Sequence, residues 1–127
     1  MKEKSNSKIL IVEDTEAISR ALSLKLEESA VEVITTSTGQ EAVELIGKNN
    51  FKVILLDLVI PDVNGFSILE TLNNKKSKAQ LIVLSNLSQK EDIEKAKTFG
   101  VKEYFIKSDT SISKVVEYIK SCLKDGN

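Results

Sequence analysis

Apolar runs in this chain end, one after another, in residues able to do chemistry. Ile9-Leu10-Ile11-Val12 is followed by Glu13-Asp14, Val53-Ile54-Leu55-Leu56 by Asp57, Leu81-Ile82-Val83-Leu84 by Ser85, and the weaker run 103–106 by Lys107. Two carboxylates about 5 Å apart repel by roughly 3 kcal/mol at an effective dielectric near 20. One lysine does not offset three such groups, so Glu13, Asp14 and Asp57 together invite a divalent cation. Oxygen ligands without His or Cys point to Mg²⁺, with Mn²⁺ as its substitute. A carboxylate, a hard cation, a lysine and a hydroxyl are also a kit for phosphoryl transfer, which depends on positioning and charge neutralisation. In that kit Asp57 is the nucleophile. The cation and Lys107 hold the phosphoryl oxygens, and the Ser85 hydroxyl donates to one of them.

These residues converge only if the apolar runs are strands of one sheet. The three strong runs are continuous and rich in β-branched residues, as parallel strands buried on both faces are. Residues 31–36 alternate in part and predict an edge strand; residues 103–106 predict the fifth strand. Helical patterns separate the strands. Ile18, Ala21, Leu22 and Leu26 share a face within residues 15–28, and Ile112, Val115, Val116, Ile119 and Leu123 form the apolar stripe of a last helix, with Cys122 beside it. Thr38 with Glu41, and Ser88 with Glu91, have capping-box spacing and predict helix starts. Pro61-Asp62-Val63-Asn64-Gly65 reads as a turn before a helix near 65–74, and Gly100 as a helix stop. Five β-α units in succession predict a three-layer α/β fold, a doubly wound parallel sheet. With strand order 2-1-3-4-5 the first and third strands flank the topological switch point, where ligands bind at the carboxyl ends. Glu13, Asp14 and Asp57 then share one crevice, closed from the other side by Ser85 and Lys107.

Composition narrows the possibilities. The 127 residues suit one domain. The polar start 1–6 and the tail 125–127 flank a domain over 7–124, and the expected fold leaves no room for a second one. Eighteen basic against nineteen acidic residues give a net charge of −1, which offers nucleic acid no electrostatic support. Histidine is absent, which excludes His-based triads, His metal sites and a phosphohistidine carrier. The single cysteine, Cys122, suits a reducing compartment and reads as small core filler. No apolar run is long enough to span a bilayer, and the expectation is a cytoplasmic protein without membrane contact.

Over residues 7–124 the chain resembles the receiver domain of response regulators. The resemblance rests on VEDTE at 12–16, LLDLVIPDVNG at 55–65, VLSN at 83–86 and YFIKS at 104–108, with Asp57, Pro61 and Gly65 at the family's spacing. It implies a flavodoxin-like fold and a regulatory phosphoacceptor rather than an enzyme, one that assists its own phosphorylation and slow dephosphorylation. It also implies that Asp14 and Asp57 ligate Mg²⁺ directly with the backbone carbonyl of Val59, while Glu13 acts through water. Ser85 would be coupled to a switch aromatic, Tyr104. The implied partners are a histidine kinase or phosphotransfer protein and a downstream protein target, the latter met on the face of the fourth helix, fifth strand and fifth helix. The implied state is a monomer or a weak phosphorylation-dependent dimer. Two positions depart from the family pattern. Asn86 stands where a small residue is usual and narrows access to Asp57; Ser108 follows Lys107 in place of proline, so the cis peptide common there is not expected.

Each residue alone also has a plainer reading. Asp14 and Asp57 could cap helices, Ser85 could be a loop residue, Lys107 a surface lysine, and Tyr104 an edge aromatic. The Lys-rich stretch 75–78 reads as a solvated loop. Among rival functions, a nucleotide-binding protein would want a Gly- or Ser-rich phosphate loop after the first strand, where Glu13-Asp14-Thr15-Glu16 repels phosphate. A phosphatase using a strand-end aspartate usually has another acid two residues on, where this chain has Val59. A receiver-like interaction module that works without phosphorylation is the remaining alternative.

Overall fold

The computed structural model describes residues 7–124; the expected polar start and C-terminal tail lie outside them. Five strands, β1 (Lys8–Val12), β2 (Glu32–Thr36), β3 (Val53–Leu56), β4 (Gln80–Ser85) and β5 (Val101–Ile106), form one parallel sheet in the order β2-β1-β3-β4-β5. The helices between and after them are α1 (Glu16–Glu27), α2 (Gly39–Lys48), α3 (Gly65–Asn74), α4 (Lys90–Thr98) and α5 (Ile112–Lys124). This is the predicted fold and strand order.

The continuous apolar runs are explained by what covers the sheet. Leu10, Val12, Ile54, Leu56 and Val83 turn to one face, where Ala42 and Ile46 of α2, Ile68, Leu69 and Leu72 of α3, and Ala96 of α4 pack on them. Their neighbours Ile9, Ile11, Val53, Leu55, Ile82 and Leu84 turn to the other, against Leu22 and Leu26 of α1 and Val115, Val116, Ile119 and Cys122 of α5. Successive side chains of a strand point to opposite faces, so a strand covered twice has no position for a polar residue. At roughly 25 cal/mol per Å² of apolar surface removed from water, two such interfaces supply most of the force that holds the three layers together. The sheet edges are β2 and β5, whose burial is partial, as the alternation in residues 31–36 predicts.

Two predicted boundaries move. α4 starts at Lys90 with Gln89 as its N-cap residue, and Ser88 is outside the helix. The β4–α4 loop is bound elsewhere: the Ser85 hydroxyl accepts the Leu87 N–H and the Leu87 carbonyl accepts the Tyr104 hydroxyl. Gln89 itself has extended backbone, and the Asp92 and Ile93 N–H groups close on its carbonyl. β5 begins earlier than expected, at Val101, which pairs with Leu81 before a register shift at Leu81/Ile82. Gly100, at φ 88°, makes the turn from α4 into that buried valine. At α2 the expected capping box forms by half. The Thr38 hydroxyl accepts the Glu41 N–H, but the Glu41 carboxylate turns to the Thr36 hydroxyl.

The β3–α3 loop is pinned at both ends. Asp62 places one carboxylate oxygen on the Gly39 N–H at 2.8 Å and the other on the Gln40 N–H at 3.0 Å, capping α2 from outside its own sequence. Those hydrogen bonds, Gly39 first, hold the Asp62 carboxyl below its ordinary value; the contribution is present at neutral pH and is lost in acid as the group protonates. At the far end a Cβ on Gly65 would lie 2.4 Å from Leu58 Cα and 2.6 Å from its carbonyl oxygen. Backbone cannot yield as a flexible side chain does. Gly65→Ala is therefore expected to destabilise the protein by about 2–3 kcal/mol, read as a lower midpoint in urea at unchanged slope. An unaltered midpoint would show that the loop does not need this close approach.

Candidate functional site

Parallel pairing brings the acidic groups together. β1 and β3 are neighbours with Val12 opposite Leu56, and the ladder runs one step further: the Asp57 N–H donates to the Val12 carbonyl at 3.0 Å and the Glu13 N–H to the Thr36 carbonyl at 3.0 Å. Beyond that point the chain from β1 leads to α1 on one face of the sheet and the chain from β3 to α3 on the other. The parting of these connections leaves a crevice at the carboxyl edge.

Glu13, Asp14 and Asp57 meet there, each offering an oxygen within 4.8 Å of the others. Glu13 and Asp57 are buried and Asp14 is exposed. Burial of the two carboxylates is compensated group by group. Asp57 Oδ1 accepts the Val59 N–H at 2.9 Å, and Glu13 Oε2 accepts the Thr15 N–H at 3.0 Å. The Lys107 ammonium then bridges both, 2.6 Å from Asp57 Oδ2 and 3.1 Å from Glu13 Oε2. Burial alone would push the Lys107 pKa down; the hydrogen bonds to Asp57 and Glu13, with their charges, outweigh it and raise the value. The ammonium therefore stays charged across the neutral range, and its stabilising effect is lost only as pH rises through the elevated value.

Ser85 ends β4 and is fully buried, its hydroxyl on the Leu87 N–H at 3.3 Å. Tyr104 lies beside it on β5, half-buried, with its hydroxyl donating to the Leu87 carbonyl at 2.7 Å. Burial, followed by the charges of Asp92 and Asp57, raises the Tyr104 phenol, while a hydrogen bond with Ser85 acts the other way. Val59 lies just past Asp57 with its side chain exposed and its backbone bridged to Asn64. The structure thus brings Glu13, Asp14, Asp57 and Lys107 into one charge cluster and sets Ser85 and Tyr104 along its β4–β5 side. Sequence reasoning missed two contributors. Asp62, whose cap on α2 fixes the loop carrying Val59, was signalled only as a turn residue. The bond from the Ser108 N–H to Asn86 Oδ1, at 2.9 Å, joins two residues that the sequence marks only as departures from a pattern.

The donor set fits a hard cation: three carboxylates, no nitrogen or sulfur ligand, and one exposed member, Asp14, through which an ion could enter. A cleft of about 400 Å³ lined by Glu13, Asp14, Glu16, Thr36 and Glu41 opens beside the cluster. A larger one, about 830 Å³, lies near Phe51 and Lys75–Lys78, remote from these carboxylates; volume does not locate the chemistry.

The response regulator receiver domain family matches residues 9–120 of the chain. The cell cycle response regulator CtrA of Brucella ovis is 34% identical over 100 residues, which cover 79% of this chain and 43% of that protein. The chain therefore spans less than half the length of the curated relatives it matches. Among solved structures, the receiver domain of the Francisella response regulator 1452 is 28% identical with a TM-score of 0.83, covering 94% of this chain and 98% of that one. A CheY-like receiver domain protein from Methanospirillum hungatei is 26% identical with a TM-score of 0.85, covering 96% and 100%. No helix among the described residues is long and apolar enough to cross a membrane.

Three negative charges against one ammonium leave the cluster strained while no cation is bound. At 4.8 Å a carboxylate pair repels by roughly 3 kcal/mol at a dielectric near 20, and solvent at Asp14 reduces that to about 0.5–1 kcal/mol. In metal-free buffer Asp14→Asn is expected to be more stable than wild type by that amount, read from urea midpoints. A variant no more stable than wild type would mean that the carboxylates do not repel one another as described.

Proposed function

The chain belongs to the response regulator receiver domain family, and from that premise we propose that it receives a phosphoryl group on Asp57 from a histidine kinase or phosphotransfer protein in a Mg²⁺-dependent reaction. In the transfer an Asp57 carboxylate oxygen attacks phosphorus, the bond from phosphorus to the donor nitrogen breaks, and the donor imidazole keeps that electron pair. The observation that carries the reading is the Lys107 ammonium lodged between Asp57 Oδ2 and Glu13 Oε2, at 2.6 and 3.1 Å. A charge held in that position can follow the phosphoryl oxygens as Asp57 becomes an acyl phosphate.

Asp14, Asp57 and the Val59 carbonyl are the proposed direct ligands of Mg²⁺, or of Mn²⁺ in its place, with Glu13 acting through water. When bound, the cation supplies charge neutralisation at the phosphoryl oxygens. Ser85 donates its hydroxyl to one of those oxygens, a donation that its acceptance of the Leu87 N–H leaves available. Tyr104 already packs against the core beside Ser85 with its hydroxyl on the Leu87 carbonyl, so a shift of the β4–α4 loop toward the phosphoryl group is felt directly by the phenol. Such a switch needs only a few kcal/mol of preference between two states. The receiver domain over residues 7–124 would then signal in the cytoplasm by presenting the α4–β5–α5 face to a downstream protein, as a monomer or weak phosphorylation-dependent dimer. It is a regulatory phosphoacceptor, not an enzyme acting on a separate substrate. Its own dephosphorylation is proposed to be slow, since Val59 and Leu87 have no polar side-chain atom with which to orient water.

Incubation with acetyl phosphate, followed by intact-mass measurement, tests the reading. Wild type is expected to gain one hydroxylamine-labile phosphoryl group with Mg²⁺ and essentially none without it, and Asp57→Asn none in either case. Equal labelling of Asp57→Asn would overturn the assignment. A wild type that takes no phosphoryl group would favour an interaction module that works without one.

A further inference from the structure

Asn86 and Ser108 stand directly after Ser85 and Lys107, the two groups that the phosphoacceptor reading places on the phosphoryl oxygens, and any role they have in the transfer rests on that reading. The strands they leave are paired, Ser85 opposite Ile106. Just beyond the last pair, Asn86 Oδ1 accepts the Ser108 backbone N–H at 2.9 Å. An amide oxygen is the only part of the Asn86 side chain that can accept from an N–H, so the orientation of the amide is fixed by the contact. Residue 108 must also be able to donate, which proline cannot do.

The bond ties the β4–α4 loop, which Tyr104 of β5 also holds at the Leu87 carbonyl, directly to the turn that follows β5. On one side, the β4–α4 loop is folded over the Ser85 hydroxyl through the Leu87 N–H. On the other, Lys107–Asp109 form a short 3-10 turn, closed by the Thr110 hydroxyl on the Ile106 carbonyl at 2.9 Å. Among the described residues, the Asn86–Ser108 bond is the only hydrogen bond between residues 86–89 and 107–111. It acts one residue away from the hydroxyl of Ser85 and one residue away from the ammonium of Lys107. The long Lys107 side chain has many rotamers, and its reach to Asp57 and Glu13 depends on where its backbone is anchored.

We propose that Asn86 is a positioning residue, which through the Ser108 N–H fixes Lys107 relative to Ser85 so that ammonium and hydroxyl meet the phosphoryl group together. The two departures from the family pattern are then one contact: Asn86 supplies an acceptor that a small residue lacks, and Ser108 a donor that proline lacks. Both residues are exposed, so the bond competes with water and its loss corresponds to a change of about two- to tenfold rather than abolition.

The test measures phosphorylation of the full chain by acetyl phosphate at saturating Mg²⁺ in wild type, Asn86→Ala, Ser108→Pro, the double variant and Ser108→Ala. Asn86→Ala and Ser108→Pro are each expected to be about fivefold slower, the double variant no slower than either, because both remove the same bond. Ser108→Ala keeps the N–H and is expected to react at the wild-type rate. Mg²⁺ affinity, from amide shifts of Asp57 and Val59 during titration, is expected to be the same throughout, which a general loosening of the site would not allow. Should Ser108→Pro fail to fold, hydrogen exchange of the Ser108 amide replaces it: faster exchange in Asn86→Ala supports the bond, and unchanged exchange overturns it. A phosphorylated wild type matched in rate by Asn86→Ala, or additive losses in the double variant, overturns the positioning role alone. A wild type that takes no phosphoryl group removes the phosphoacceptor reading and this role with it.

Discussion

One ammonium group stands between two buried carboxylates at the carboxyl edge of the sheet, with a third carboxylate at its rim, and the rest of the molecule is arranged to hold that imbalance. Lys107 lies within 3.1 Å of both Glu13 and Asp57. Removing two carboxylates from water is costly unless each finds partners. Here the partners come from separate parts of the chain: the Val59 and Thr15 N–H groups and a lysine just past the last strand. The compensation is sufficient to keep both acids buried and insufficient to neutralise the cluster. A site in that condition favours whatever brings positive charge.

The sheet supplies the rigidity this requires. Glu13 and Asp57 are held by backbone hydrogen bonds that continue the β2–β1–β3 ladder past its last residues, so their spacing is set by strand separation rather than by loop conformation. The connections then diverge to opposite faces, and the crevice exists because the chain is wound both ways from adjacent strands. The Asp57-bearing loop is stitched down by Asp62 on α2 and by the close approach of Gly65 to Leu58. The β4 and β5 side is held differently. Ser85, Leu87 and Tyr104 are joined by single hydrogen bonds that can be exchanged without breaking the core. Stiffness at the acids and looser attachment at the hydroxyl and the phenol suit a group that must bind in one place and be felt in another.

Much of this was legible in the sequence, for physical reasons. Double coverage of a parallel sheet forces continuous apolar strands, so Ile9–Val12 and Val53–Leu56 declared both their structure and the carboxyl ends at which Glu13, Asp14 and Asp57 stand. Partial alternation likewise marked β2 as an edge. What the sequence hid were interactions between distant segments. Ser88 carries a capping signal as good as that of Thr38, yet α4 starts at Lys90 because Ser85 and Tyr104 claim the loop first. Val101 joins β5 because Gly100 turns the chain onto Leu81, which local composition does not reveal. Asp62 reads as a turn former and acts as a helix cap 22 and 23 residues away in sequence. Asn86 and Ser108, 22 residues apart, read as two unrelated departures and form one bond. Local periodicity reports burial; it does not report which side chain reaches across a loop.

The central proposal is that a phosphoryl group is taken up on Asp57 and on no other carboxylate of the cluster. Borohydride reduction of an acyl phosphate converts the aspartate that carried it into homoserine, and peptide mass spectrometry locates that residue. After acetyl phosphate and Mg²⁺, homoserine is expected at position 57 alone. Homoserine at position 14, or at none of the cluster positions in a protein that has gained phosphate, would contradict the account.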